Sequence, residues 1–189
     1  RWSTRVIIGV TSITSTAFAV LLALTDGVDG LRYGAEHETE YLANVATMPP
    51  LGEFLSAFVD DISNYSVHVR GHPPGFVALL SLMDRVGLEG VWPVVMLSVL
   101  ATAVLPVAVL VAVRARSNAE WVRRCAPLLI VAPYALWMIT SADAVYTAVG
   151  ACAVAACTLG LRATRWQPAA AWGALGGLGL SALLFLTYG

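Results

Sequence analysis

An all-α polytopic bundle of transmembrane helices is the fold class this sequence predicts, with one large polar loop after the first span. Three observations predict it. Hydrophobic residues make up 58% of the 189 residues and charged residues 12%, against about 25% charged in soluble domains. The apolar residues are gathered in membrane-length runs, and in lipid a helix satisfies its own backbone groups. The third is a polar interruption at 26–75, rich in acids, which closes on His68-Val69-Arg70-Gly71-His72-Pro73-Pro74-Gly75.

The first span is expected at about 6–25. Val6 to Leu24 is nineteen residues without a charge, enough for ~30 Å of hydrocarbon at about 1.5 Å per residue. Arg1 and Arg5 precede it and no small-residue cleavage site ends it, so it reads as an anchor rather than a cleaved signal.

The loop 26–75 is too long for a tight connection and too patterned for disorder. Two helices are expected in it. Pro49-Pro50 opens one, with Leu51, Phe54, Leu55, Phe58, Val59 and Ile62 as its apolar stripe and Glu53, Ser56, Asp60 and Asp61 on the other side. A helix of that pattern after a span is expected to lie in the membrane interface, the alternative being a small cap packed on itself. The other helix runs through Glu36, Glu38 and Glu40. At ~100° per residue Tyr41, Leu42 and Val45 share a face with Glu38 at its centre, while Glu36 and Glu40 fall opposite, near Asn44. A carboxylate turned to an apolar surface is a better proton acceptor, which makes Glu38 the candidate catalytic residue. The plainer reading is an acid at a helix start, favoured by the dipole.

In the closing motif the two prolines hold His72 extended ahead of the next helix. Arg70 and His72 can both donate to an anionic oxygen, and the N–H groups of the helix start that follows suit a phosphate. The alternative is a rigid loop with its charges at the headgroup boundary. His37, His68 and His72 match no zinc-ligand spacing.

Phe76 to Val86 is eleven residues, too short to span, and carries Asp84 and Arg85. The segment 76–87 is therefore expected as an interfacial or re-entrant helix, with a short tilted span as the alternative. Further spans are expected at about 91–113, 122–140, 144–161 and 169–187. Asp143, in the turn between two of these, either caps the following helix or reaches the loop to help bind a metal or a sugar. Cys125, Cys152 and Cys157 have no ligand spacing and read as small core or lipid-facing residues.

Orientation follows from the eleven arginines, in a chain without lysine. With the N-terminus cytoplasmic, eight of them fall inside, and eleven of twelve acids fall on the side of the 26–75 loop, which becomes extracytoplasmic. Alanine, valine and glycine in place of lysine point to a GC-rich, bacterial genome and hence to a plasma membrane. The start at Arg1 and the stop at Tyr188-Gly189 read as the N-terminal module of a longer protein.

In this order and topology the residues resemble the C-type membrane glycosyltransferases, which include the protein O-mannosyltransferases and the lipid A aminoarabinose transferase. His37-Glu38-Thr39-Glu40-Tyr41-Leu42, then His72-Pro73-Pro74-Gly75, then the Ser-Ala-Asp turn at Asp143 carry the resemblance, which covers about two thirds of the chain. It implies transfer of a sugar from a polyprenyl-phosphate donor to an acceptor on the outer membrane face. It implies Glu38 as base, His72 at the lipid phosphate in place of the usual basic residue, and Arg70, Asp143, Tyr41, Glu36 and Glu40 in substrate binding. His37 stands where the family often has Asp, so the cofactor is unknown, a divalent metal stays open, and Glu36 and Glu40 remain alternative acids. The expected partners are the lipid-linked sugar and the bilayer, with no nucleic acid. Two rivals are a non-catalytic membrane scaffold docking through Leu51–Ile62 and a transporter or flippase. The latter would keep ionisable groups inside its spans, which here are almost free of them.

Overall fold

The computed structural model describes residues 2–188, and among these there are helices and turns but no strand. The first helix, α1 (Thr4–Ala23), is capped by the Ser3 hydroxyl, which accepts from the Val6 N–H. A 3-10 turn extends it to Asp26. The polar interruption then folds into four short α-helices, α2 (Asp29–Glu36), α3 (Leu42–Val45), α4 (Leu51–Ala57) and α5 (Val67–Gly71), and α6 (Gly75–Arg85) follows it. The rest of the bundle is α7 (Val91–Arg116), α8 (Ala119–Ile130), α9 (Asp143–Arg162) and α10 (Trp166–Leu186). Among the described residues, four helices are long and apolar enough to cross a membrane: Thr4–Asp26, α7, α9 and α10. The chain is thus a multi-pass helical membrane protein.

The bundle has two unlike ends. At one, the Arg162 guanidinium donates to the Arg114 carbonyl, joining the ends of α7 and α9, and Leu110, Val122 and Ala126 pack with Ile7 and Ile8 of α1. Arg5, Arg114, Arg116, Arg124, Arg162 and Arg165 are exposed at this end. The loop 26–75 covers the other. Trp2, Trp121 and Trp166 are exposed near the basic end and Trp92 and Trp137 near the acidic one, the placing of amphipathic rings at two water–lipid boundaries.

Hydroxyls tie the spans together. Ser12 of α1 donates to the Ala103 carbonyl of α7 at 2.6 Å, and Ser15 donates to the Leu129 carbonyl at 3.3 Å. Such interhelical bonds contribute about 0.6–2 kcal/mol each in lipid.

The span expected at 122–140 is not one helix. α8 stops at Ile130, and a 3-10 turn at Pro133–Leu136 and further turns carry the chain to Asp143. Pro133 is the reason. It brings no N–H and forces Ala132 out of the helical region, to φ −66°, ψ 139°. The Leu129 carbonyl accepts instead from the Tyr134 hydroxyl at 2.8 Å. The segment still passes from the basic end, where Val122 packs on Leu110, to the acidic end, where Gly34 lies against Thr140.

Two helices expected in the loop are also broken. α2 ends at Glu36, His37 is extended (φ −61°, ψ 142°), and turns fill 38–41 before α3 begins. The helix expected from Leu51 to Ile62 stops at Ala57. Phe54 and Phe58 turn inward and pack on Tyr65 with ring centroids 5.4 Å away, while Val59 is 76% exposed. α6 does not cross the bundle. Gly75 lies against Phe185 at the far end of α10, and Asp84 shares a cleft with Glu36 and Val91 at that same end. Phe76, Val77, Ala78 and Leu80 are buried, so α6 is part of the core.

Candidate functional site

The site is assembled where two stretches of the loop are stapled together over the start of α9. Asn44, buried on α3, donates through Nδ2 to the Ser66 hydroxyl at 2.6 Å and accepts the Ser66 N–H on Oδ1 at 3.1 Å. The Ser66 hydroxyl donates to the Glu40 carbonyl at 3.2 Å, and the His68 N–H donates to the Thr39 carbonyl at 3.2 Å. These bonds satisfy turn backbone that no helix ladder serves. They also set the Glu40 side chain opposite the His68 ring, with Oε1 2.6 Å from Nδ1.

Tyr41 is the floor. It is 4% exposed, its ring stacks on His68 at 6.1 Å and 28°, and it meets Phe76 edge-on at 4.9 Å. Its hydroxyl accepts from the Tyr146 hydroxyl of α9 at 3.0 Å. Burial above all pushes the Tyr41 phenol up to about 12; the charges of Glu40 and Asp143 add to this, and the Tyr146 hydroxyl partly offsets it. Tyr41 is therefore a neutral phenol at physiological pH.

His72 is extended at φ −134°, ψ 160°, between α5 and the prolines that start α6. Its ring lies beside Tyr41 at 6.2 Å and Tyr146 at 5.8 Å, and its buried Nδ1 has no hydrogen-bond partner among the described residues. A buried polar nitrogen without a partner costs about 1–3 kcal/mol. On the last side, the Ser141 hydroxyl accepts the Asp143 N–H at 3.1 Å, and no side chain caps α9 from Ala142. Glu40, Tyr41, His68, His72, Ser141 and Asp143 thus enclose a polar cavity of about 50 Å³.

A second space begins two residues further along α9. Asp143 lines the polar cavity; Val145 lines an apolar groove of about 520 Å³ between α7, α9 and α10. Leu100, Val104, Val149, Cys152, Trp172 and Leu175 form much of its wall. From Val145 to Ala156 it follows α9 for roughly 17 Å at ~1.5 Å per residue.

Of the residues singled out in the sequence, Glu40, Tyr41, His72 and Asp143 come together here. Glu38 does not. It is exposed in the turn that breaks the expected helix, so the helical face that pointed to it does not exist. Glu36 ends α2, pairs with Arg32 at 3.3 Å and lines a different cleft, with Asp84. Arg70 is exposed on α5 and is not part of the cavity wall. Sequence reasoning weighed His68 for zinc alone and passed over Asn44, Ser66 and Tyr146 as site residues. Tyr146, one helical turn past Asp143 in an apolar run, was the legible signal.

No group of three or more His, Cys, Asp or Glu among the described residues is arranged to hold a metal ion. The chemistry on offer is a carboxylate–imidazole pair, a neutral phenol and an unspent imidazole nitrogen. No protein-family model, curated protein or solved structure matches the chain.

Proposed function

We propose that this chain forms the donor site of a membrane glycosyltransferase that takes a sugar from a polyprenyl-phosphate and passes it to an acceptor hydroxyl. One observation carries the reading. A small polar cavity with an acid–imidazole pair and a hydrocarbon-lined groove share one helix, α9, which lines the first through Asp143 and the second from Val145 onward. A donor with a polar head and a long apolar tail fits that sequence of surfaces. The order of the loop motifs, which resembles that of the C-type glycosyltransferases, supports the same reading.

In this proposal Glu40 replaces Glu38 as the acidic residue of the site. His72, whose ring lines the cavity, donates to the lipid phosphate, where charge grows as the glycosidic bond breaks, and preorganised donors there lower the barrier. Asp143 is placed to accept from sugar or acceptor hydroxyls. The arginine-rich end lies in the cytoplasm of a bacterial cell and the site faces outward, as the positive-inside bias directs.

The test uses full-length protein in proteoliposomes supplied with a panel of radiolabelled polyprenyl-phosphate sugars. Transfer to an acceptor, lost in Glu40→Gln, is the expected result; a folded protein that transfers from none of the donors overturns the reading. A non-catalytic scaffold is the second reading, favoured by the exposed Leu55 on α4 and Val59 just past its end. It expects a membrane partner to be captured through that face with no turnover.

A further inference from the structure

We infer that His68 is the proton-accepting residue of the site and that Glu40 is its orienting partner, so that the base is an imidazole rather than a carboxylate. The inference rests on the glycosyl-transfer reading for its reaction, though not for its geometry.

The geometry begins with what each group can donate. An ionised carboxylate only accepts, so the 2.6 Å contact of Glu40 Oε1 with His68 Nδ1 places a hydrogen on Nδ1. In the neutral ring the lone pair is then on Nε2, across the ring from the contact. The two side chains divide the work by exposure. Both line the cavity, but Glu40 is 17% exposed, which leaves it less access to an incoming hydroxyl than His68, which is 44% exposed. A free neutral imidazole has no fixed tautomer; this one is selected by its partner.

Three independent restraints hold the ring. Nδ1 is held by Glu40, the His68 N–H is held by the Thr39 carbonyl at 3.2 Å, and the ring face stacks on Tyr41. The Asn44–Ser66 bonds hold Glu40 from behind through its carbonyl. A carboxylate that fixes an imidazole and stabilises its protonated form is the logic of acid–histidine catalytic pairs on unrelated folds. Around this pair the other titratable groups of the cavity are Asp143 and the rings of His72 and Tyr41.

The step balances as follows. Nε2 takes the proton of the acceptor hydroxyl as that oxygen forms a bond to the anomeric carbon. The bond from that carbon to the donor phosphate oxygen breaks, its electron pair leaving with the lipid phosphate, to which His72 donates. The proton on the imidazolium then passes to bulk water.

The experiment has two arms on full-length protein in nanodiscs. In the first, ¹⁵N-histidine NMR at mildly alkaline pH reads the tautomer of each of the three histidines. The His68 signals are assigned by their loss in His68→Gln, and His37 and His72 report that the fold is kept. His68 is expected with Nδ1 protonated and Nε2 bare, and Glu40→Ala is expected to release it to the common Nε2–H form. In the second arm, His68→Ala is expected to lose about 10²–10⁴-fold in kcat with little change in donor KM, and added imidazole is expected to restore part of it. Glu40→Ala is not expected to respond to imidazole. A wild-type His68 protonated on Nε2, or His68→Ala with undiminished transfer, overturns the inference while leaving glycosyl transfer standing. The expected tautomer in a protein that transfers no sugar leaves the pair standing and removes the transfer reading.

Discussion

The hydroxyls of Tyr41 and Tyr146 meet at 3.0 Å, joining the turn that carries Glu40 to the first turn of α9. Both rings are buried, at 4% and 5% exposure, and both pack on Phe76. The pair is where the polar loop is bonded to the membrane bundle, so it transmits the position of α9 to the cavity.

Removing both hydroxyls of this pair should cost less than the sum of removing each. Tyr146→Phe leaves the Tyr41 oxygen buried without its donor, an expected loss of about 1–2 kcal/mol. Tyr41→Phe strands the other hydroxyl at a similar cost. The double variant keeps both rings and strands neither group, so its loss should fall below the sum of the two by about 1 kcal/mol. Denaturant unfolding in detergent micelles, run as a double-mutant cycle, measures it; strict additivity would show that the hydroxyls do not interact.

Tyr41 also gives a pH dependence of known sign. Its phenol is held up at about 12 in the fold, against 10.0 for the unperturbed group. A group whose folded value is raised contributes fully below the unfolded value and loses its contribution as pH rises toward the folded one. The contribution of this residue should therefore be flat below pH ~10 and fall between ~10 and ~12 by as much as about 3 kcal/mol. Ultraviolet titration of tyrosinate should show a late phenol that is missing in Tyr41→Phe, and that variant should lose less stability over the same interval.

Hydropathy summed over ~20 residues made the class of the fold readable, because crossing a bilayer is a property of a whole segment. The uneven division of arginines and acids between the two ends was readable for the same reason. What depended on phase was not. The face that singled out Glu38 required an unbroken helix from Glu36 to Val45, and one extended residue, His37, resets the phase. The length of the 122–140 run hid Pro133, whose missing N–H ends α8 early. The pairing of Glu40 with His68 joins residues far apart in sequence through Asn44 and Ser66, and no local pattern encodes such a contact.

Gly75 is required by packing and not by backbone angle. A Cβ at this position would overlap the Phe185 carbonyl oxygen and approach its ring, and a carbonyl in a helix cannot swing aside. Gly75→Ala should push α6 from α10 and destabilise the protein by about 1–3 kcal/mol, the usual cost of overfilling a packed contact. Gly71 offers the control: a Cβ there meets nothing within 4 Å, and it ends the short helix α5. Gly71→Ala should be neutral or stabilise by up to ~1 kcal/mol. Thermal unfolding of the two variants separates a steric glycine from an incidental one.

The groove offers a prediction that separates lipid binding from catalysis. Cys152 lies on α9 in the wall of the apolar groove, more than two helical turns from Asp143, and its side chain is not part of the core. Cys152→Trp adds a bulky ring where the donor tail is proposed to run, without touching Glu40, His68 or His72. If the tail occupies the groove, KM for a long-chain donor should rise by tenfold or more, about 1.4 kcal/mol of lost binding, with kcat within a factor of about two. A donor truncated to one or two isoprene units, too short to reach the ring, should show no difference between wild type and variant. Steady-state kinetics with the two donors read this directly. Equal KM values for the long donor would place its tail elsewhere on the bundle, while a fall in kcat for both donors would mean that the substitution had disturbed α9 itself.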